Sequence, residues 1–173
     1  MATINLTDVY PEFSDALEKI VLDFRLNFKT IKGDNILKQA EVETYESTVK
    51  LPGASECIIY NFHSLLDTTA SWQALMYRGE DYKEAARTYE NVFRLVKKSH
   101  VRWIDKSYIG FSGEMQPAKE DLKFAVSTLN FALDDRRYKK FLAEVELVST
   151  YSGWEVHLNL ETKKPDEEGS TGY

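Results

Sequence analysis

Histidine and cysteine are the side chains that most readily ligate metals or act as bases and nucleophiles near neutral pH. The three histidines, His63, His100 and His157, lie far apart and share no metal-ligand spacing. His100 follows a predicted helix, where an imidazolium is favourable, and His157 falls on the predicted wet face of a strand. We therefore predict capping or surface roles for the histidines and no metal site.

The single cysteine, Cys57, lies beside two isoleucines in an apolar stretch. No basic residue adjoins it to lower the pKa of its thiol, so we predict a buried and inert side chain. One cysteine cannot form an intrachain disulfide, which fits a reduced compartment. We expect a cytoplasmic protein; export followed by removal of a leader is the alternative.

The densest carboxylate group on a predicted strand consists of Glu41, Glu43 and Glu46. Paired acids do acid–base chemistry when unequal burial separates their pKa values. Nothing in the surrounding sequence indicates burial, so we interpret the three as solvated charges on an edge strand. The sequence has no phosphate-binding glycine loop, nucleophile elbow or zinc spacing, and its eight glycines are not clustered. We expect no cofactor.

The three tryptophans, Trp72, Trp103 and Trp154, each fall on a predicted strand. They could line a sheet face that grips an apolar ligand or a peptide, but packing against two helices explains them as well and is favoured. A nucleic-acid platform would need aromatic residues interleaved with basic ones. The neighbours here are acidic, so nucleic acid is not an expected partner.

The net charge of −6 also argues against non-specific binding to nucleic acid, which needs clustered lysine and arginine. The densest basic groups are Lys97-Lys98 and Arg136-Arg137 with Lys139-Lys140. Both are typical of solvated helix ends or turns. No apolar run approaches the roughly 20 residues that span a bilayer, so we expect no membrane span.

Hydrophobic periodicity predicts the elements that must position these residues. Apolar residues at three- and four-residue steps predict helices over residues 11–29 and 81–98. Alternating or β-branched stretches predict strands over residues 41–51, 56–62, 71–78, 102–111, 122–133, 141–147 and 154–160. Short links between strands favour an α+β fold, with an antiparallel sheet of six to seven strands and two helices on one face. We expect one domain over residues 1–162 and a disordered acidic tail over 163–173.

An internal similarity at an offset of about 69 residues accompanies this order. Ala16, Phe24, Arg25, Leu26 and Lys29 recur as Ala85, Phe93, Arg94, Leu95 and Lys98. The offset also carries Asn61-Phe62 onto Asn130-Phe131. Two amphipathic helices can share such residues because both bury a stripe of the same period. We nevertheless favour an αβββ–αβββ(β) internal duplication.

Two short motifs carry a resemblance to other proteins. Residues 28–33, Phe-Lys-Thr-Ile-Lys-Gly, and residues 51–54, Leu-Pro-Gly-Ala, followed by Cys57, resemble segments of small uncharacterised proteins from Bacteroidetes-type bacteria. Separately, the order of elements is similar to that of type III secretion chaperones, although the final helix of that layout is missing. The second resemblance implies an acidic dimer that binds unfolded polypeptide segments, by analogy of element order alone.

With no catalytic constellation, the acidic charge and the many strands favour a non-enzymatic binding module. We expect it to act as a homodimer and to hold a peptide or partner protein on a sheet face or an exposed strand edge. One alternative is a carrier of a small apolar ligand enclosed between sheet and helices. Another is a cofactor-independent enzyme whose polar residues converge only in the fold.

Overall fold

The computed structural model describes residues 10–63 and 68–162, which form two α-helices and nine β-strands. The helices are α1 (Tyr10–Asp23) and α2 (Tyr82–Lys98). The strands are β1 (Lys32–Lys38), β2 (Val42–Ser47), β3 (Glu56–His63), β4 (Thr68–Gly79), β5 (His100–Arg102), β6 (Tyr108–Ser112), β7 (Phe124–Phe131), β8 (Phe141–Thr150) and β9 (Gly153–Thr162). The predicted tail, residues 163–173, lies outside the described residues. Neither helix is long and apolar enough to cross a membrane.

The nine strands form one sheet in the order β1-β2-β3-β4-β9-β8-β7-β6-β5, and every neighbouring pair is antiparallel. The predicted α+β class with an antiparallel sheet is confirmed. The predicted count of six to seven strands is wrong, because the outermost strand at each end was not recognised. β1 lacks the apolar alternation by which strands are recognised in a sequence, and β5 is only three residues long.

The two missed strands differ in their origin. β1 is mostly exposed and polar, and it closely follows the segment predicted as the first helix. β5 has three residues, of which the last, Arg102, begins the segment predicted as one strand over 102–111. A tight turn divides that segment: the Trp103 amide donates to the Ser107 carbonyl at 2.8 Å, and Lys106 adopts a positive φ of 71°.

Helix α2 agrees with its prediction, whereas α1 is shorter than predicted. The Asp81 side chain caps α2 by accepting from the amides of Lys83 and Glu84 at 2.9 and 3.4 Å. α1 ends at Asp23 and not at residue 29, because Asn27 and Phe28 take left-handed conformations with φ of 55° and 59°. Two short 3-10 turns then lead the chain into β1.

Both helices pack on the same face of the sheet, as predicted. Beyond the end of α1, the ring of Phe24 contacts that of Phe141 on β8, with centroids 4.5 Å apart. From α2, the ring of Tyr82 contacts that of Trp154 on β9, with centroids 4.9 Å apart. The hydrophobic core lies between the helices and this face, and its largest fully buried side chains are Trp72, Tyr89, Tyr138, Phe13 and Phe28.

The strand order bears on the suspected duplication. The 69-residue offset places β3 on β7 and β4 on β8, but β9 lies between β4 and β8. Both of those strands are antiparallel to β9 and therefore parallel to each other. With both helices on one face, the two halves run in mirror-image order, so no rotation superposes one on the other. The duplication stays a prediction.

Gly153, which closes the turn between β8 and β9, gives a first testable prediction. Its φ is +151°, and an added Cβ would collide with the carbonyl oxygen of Gly79. We expect Gly153→Ala to lower the free energy of unfolding by more than about 1 kcal/mol in urea denaturation. Gly110→Ala is the matched control, since its Cβ would meet only the His100 side chain at 3.9 Å. An equal loss at both positions would contradict the argument.

Candidate functional site on the helix-free face

The side of the sheet opposite the helices, the helix-free face, carries most of its polar side chains. Because side chains alternate along a strand, the residues between the core positions of β4, β8 and β9 point to this side. The register places Gln73 of β4 beside Asn159 of β9, and Glu146 of β8 beside His157 of β9. Polar groups of three strands therefore meet at the centre of the sheet.

A groove with a volume of about 410 Å³ opens on this face where β1 to β4 lie next to β9. The lining residues are Leu37, Val42, Thr44, Tyr60, Phe62, Ser71, Trp72, Gln73, Asn159 and Glu161. The groove has an apolar side, formed by β1, β2 and β3, and a polar floor formed by β4 and β9. Such a mixture of apolar wall and few polar groups is typical of a ligand site.

Two aromatic rings form the most prominent part of the apolar side. Tyr60 and Phe62 lie two residues apart on the same face of β3, and their rings stack with the centroids 6.1 Å apart. Phe62 is 45% exposed and Leu37 of β1 is 48% exposed, although both are large apolar side chains. Exposed apolar side chains that adjoin a concave surface indicate a place where a partner binds.

A continuous series of hydrogen bonds, the polar chain, runs from the groove across the helix-free face. Its members in order are Tyr60, Gln73, Asn159, Glu146, His157, Glu155 and Arg78. The successive distances are 3.4, 2.8, 3.2, 2.9, 2.9 and 3.2 Å. The chain links β3, β4, β8 and β9, so it connects the groove to the centre of the sheet.

His157 is the charged centre of the polar chain. Its Nδ1 lies 2.9 Å from Glu146 Oε1 and its Nε2 lies 2.9 Å from Glu155 Oε1, and its side chain is 16% exposed. Burial opposes the charge of the ring, but the hydrogen bonds to the two carboxylates outweigh it and raise the pKa of His157. The hydrogen bond from His157 in turn lowers the pKa of Glu146.

This arrangement favours one protonation state with a clear chemical consequence. Ionised carboxylates only accept hydrogen bonds, so while both are ionised each ring nitrogen of His157 donates and the ring is held as an imidazolium, which agrees with its raised pKa. An imidazolium has no free lone pair with which to take a proton or bind a metal. The cluster is suited to binding and to charge balance. Among the described residues, no group of three or more His, Cys, Asp or Glu side chains could hold a metal ion.

The histidines occupy three separate environments, as predicted, but His157 is not a surface residue. His157 lies on the predicted face, yet flanking carboxylates and neighbouring strands cover it. His100 is exposed and directly follows the C-cap of α2, in agreement with its prediction. His63 ends β3, and its Nε2 lies 2.9 Å from Glu43 Oε1.

The glutamate group does not lie at an edge of the sheet, because β1 flanks β2. Glu43 accepts hydrogen bonds from Tyr45 and His63, which lower the pKa of its carboxyl group. Glu46 pairs with Lys50 at 2.8 Å, and Glu41 precedes β2 as an exposed residue. The interpretation as edge-strand charges is therefore wrong for Glu43 and Glu46.

Cys57 and two of the tryptophans belong to the core. Cys57 is 2% exposed, and burial raises the pKa of its thiol, as expected of an unreactive side chain. Trp72 and Trp154 are 0% and 7% exposed on the helix side of the sheet, so the favoured core role is confirmed for them. Trp103 lies in the turn after β5 and not on a strand; its ring contacts Tyr138 edge-on.

The basic groups lie where turns and helix ends were predicted. Lys97 and Lys98 form the last turn of α2. Arg136 and Arg137 belong to a 3-10 turn, and Lys139-Lys140 lead from it into β8. These positions favour the interpretation as solvated basic residues.

Each outer strand of the described sheet carries features that oppose pairing with another strand. The outward amides of β5, at His100 and Arg102, donate to Ser14 Oγ and Glu18 Oε2 of α1 at 3.4 and 2.8 Å. β1 contains two register shifts and has a lysine at each end. Bulges and terminal lysines are devices by which proteins protect sheet edges. The face, and not an edge, is the better candidate for binding.

Sequence reasoning missed the groove residues Tyr60, Gln73 and Asn159, because the register of β3, β4 and β9 brings them together from distant parts of the chain. One signal was available: Glu155, His157, Asn159 and Glu161 alternate along one face of β9. No family model, curated protein or solved structure shows significant similarity to this chain.

Proposed function

We propose that the protein is a non-enzymatic binding module that holds an extended segment of a partner polypeptide in the groove on the helix-free face. The observation that carries the proposal is the groove itself, in which exposed Phe62 and Leu37 lie beside a polar floor. An extended peptide presents alternating side chains, which can meet an apolar wall and a polar floor in turn. The groove offers both surfaces.

Two features support binding over chemistry at this site. The imidazolium of His157 is held by Glu146 and Glu155, so it has no free nitrogen to act as a base. Among the described residues that line the groove, Glu161 is the one carboxylate. The other titratable group in the lining is the phenol of Tyr60, and burial raises its pKa further above the neutral range in which acid–base catalysis operates. The proposal of a cofactor-independent enzyme is accordingly the less favoured one.

A small apolar ligand is the second candidate, because about 410 Å³ suffices for one. It would occupy the helix-free face, whereas the expected carrier would enclose its ligand between sheet and helices. Large buried side chains such as Trp72 and Phe13 fill that core. A peptide is favoured over a small ligand because the groove is continuous with exposed side chains at the edge of the sheet.

The expected homodimer remains a prediction. Capped amides on β5 and bulges on β1 oppose a dimer formed by edge pairing, so self-association would use another surface. Analytical ultracentrifugation over a range of protein concentrations measures it.

The groove can be tested by selecting peptides from a phage-displayed library of random twelve-residue sequences. We expect Phe62→Ser to lower the affinity for the selected peptides by about tenfold or more, because an exposed aromatic ring in a groove is a typical binding hot spot. Isothermal titration calorimetry with the synthetic peptides measures the change.

Phe124→Ser provides the matched control. Phe124 lies on the same face, on β7, with 52% of its surface exposed, but it does not line the groove. We expect this variant to bind like the original protein. Failure to enrich any peptide, or equal weakening by both variants, would refute binding in the groove. Binding of hydrophobic dyes alone, lost in Phe62→Ser, would favour the small-ligand candidate.

A further inference from the structure

The direction of each hydrogen bond in the polar chain follows from one residue, Glu146. Its ionised carboxylate can only accept, and its Oε1 lies 2.9 Å from His157 Nδ1 and 3.2 Å from Asn159 Nδ2. Asn159 must therefore turn its amino group toward Glu146 and its carbonyl oxygen away from it. The pairing of His157 with a second carboxylate, Glu155, keeps the ring a donor.

The same constraint passes from Asn159 to the floor of the groove. Asn159 Oδ1 accepts from Gln73 Nε2 at 2.8 Å, so Gln73 directs its carbonyl oxygen toward the hydroxyl of Tyr60 at 3.4 Å. A carbonyl oxygen has two lone pairs, and this long bond uses one of them. Gln73, which lines the groove, therefore keeps a second acceptor site on its oxygen for a group that enters.

The charged side chains near the groove also favour a positively charged ligand. Glu161 of β9 lines the groove and forms an ion pair with no cation among the described residues. Neither lysine nor arginine is among the described residues that line the groove. Glu144, Glu146 and Glu155 lie on the same face of β8 and β9. His157 pairs with Glu146 and Glu155, and Arg78 of β4 pairs with Glu155, so neither cation lies in the groove.

We propose that the groove selects a cationic side chain, lysine or arginine, that is flanked by apolar residues in the bound segment. Glu161 would face the cation and the Gln73 oxygen would accept from it. Glu146 is the positioning residue that fixes the orientation of the Asn159 and Gln73 amides. The proposal rests on the proposed function, because it names the chemistry of the segment that the groove holds. Apolar neighbours of the cation contact Tyr60, Phe62 and the β1–β2 wall.

Three peptides of the form acetyl-Gly-Val-Xaa-Phe-Gly-amide test the preference, with lysine, norleucine or glutamate at Xaa. Titration into the isotope-labelled protein, followed by amide NMR shifts, gives each affinity and maps the site. We expect the lysine peptide to bind about tenfold more tightly than the norleucine peptide, since hydrogen bonds to a charged group add affinity. The glutamate peptide should bind most weakly.

The outcomes separate the two proposals. Equal binding of all three peptides in the groove would overturn the cation preference and leave peptide binding standing. Shifts outside the groove, or none at millimolar peptide, would contradict the proposed function itself. A preference for glutamate would overturn the inferred polarity of the floor.

Three variants assign the residues. Glu161→Gln should reduce the ratio of lysine to norleucine affinity about fivefold or more, because it removes the facing carboxylate. Glu146→Gln should also reduce the ratio, because a neutral amide lets Asn159 and Gln73 reverse. In both variants the affinity for the norleucine peptide should be unchanged, because this peptide carries no charge at Xaa. A structural defect would lower the affinity for both peptides. Glu146→Asp keeps the carboxylate and should restore part of the preference.

Glu56→Gln is the matched control for charge. Glu56 is exposed on the same face at the start of β3, but it does not line the groove. The variant loses the same unit of charge and should keep the full lysine preference. A reduction as large as that of Glu161→Gln would mean that the preference comes from the overall charge of the face and not from the groove.

Discussion

Replacing Trp72 with alanine is expected to lower the free energy of unfolding by about 3 to 5 kcal/mol, the range for deleting a buried aromatic side chain. Trp72 is fully buried at the centre of the sheet, paired with Ile59 of β3 and Leu160 of β9. Its Nε1 donates to Ser47 Oγ at 3.0 Å. The substitution removes this packing and leaves a buried hydroxyl without its donor.

Urea denaturation monitored by circular dichroism measures the loss. Trp103→Ala is the control, because Trp103 lies half-buried in a turn and should cost clearly less. The loss for Trp72→Phe should lie between those for Trp72→Ala and Trp103→Ala, since phenylalanine keeps much of the volume but loses the hydrogen bond. A loss below about 1 kcal/mol for Trp72→Ala would contradict the core role of this residue.

The second large effect is expected at His157. Replacing it with glutamine should lower the free energy of unfolding by about 2 to 3 kcal/mol at pH 6, the scale of hydrogen bonds to charged groups. The variant leaves Glu146 and Glu155 without the cation that lies between them. His100→Gln is the control and should change the free energy by less than about 0.5 kcal/mol, because His100 is exposed.

The pH dependence of the same variant gives an independent test. The pKa of His157 is raised above its ordinary 6.5, so its stabilising contribution is complete below pH 6.5 and is lost as pH rises through the folded-state value. The pKa of Glu146 is lowered from 4.5, so its contribution is present above pH 4.5 and is lost on acidification through its folded-state value. The difference in the free energy of unfolding between the original protein and His157→Gln should therefore become smaller above neutral pH.

Urea denaturation of both proteins at a series of pH values from 5 to 9 measures this difference in the free energy of unfolding. A difference that stays constant over this range would mean that His157 contributes through packing and not through its charge. A difference that grows toward pH 9 would contradict the sign of the shift.

The sequence predicted those elements in which burial imposes a regular period. β8 and β9 alternate apolar and polar residues because one face lies on the core and the other does not. Asp81 and the acidic first turn marked the start of α2. The predicted end of α1 was wrong because the observed end depends on the left-handed conformations of Asn27 and Phe28. Asn tolerates this conformation, but Phe rarely adopts it, so the pair does not mark a helix end as a glycine would.

The site was harder to predict than the fold, because it exists only through register. Tyr60, Gln73 and Asn159 come from three strands, and a shift of one residue would turn each to the other face. The alternation of apolar and polar residues on β9 indicated that one face of the strand is polar. It did not indicate that this polar face is partly buried. His157 therefore looked like a surface residue, while the carboxylates beside it came from β8 and from β9 itself.

The position of β9 has a consequence for how the protein is made. β9 is the last strand described, yet it lies between β4 and β8, and Gln73 meets Asn159 across 86 positions of the chain. A chain emerging from the ribosome therefore presents the inner edge of β4 as an unpaired template until β9 follows. The other strand pairs join consecutive strands, so the β4–β9 pairing is the distant step of the sheet. Pairings between distant parts of a chain slow folding, and the waiting edge is prone to aggregation. Production of the protein should therefore respond to chaperone level and growth temperature more strongly than its final stability would suggest.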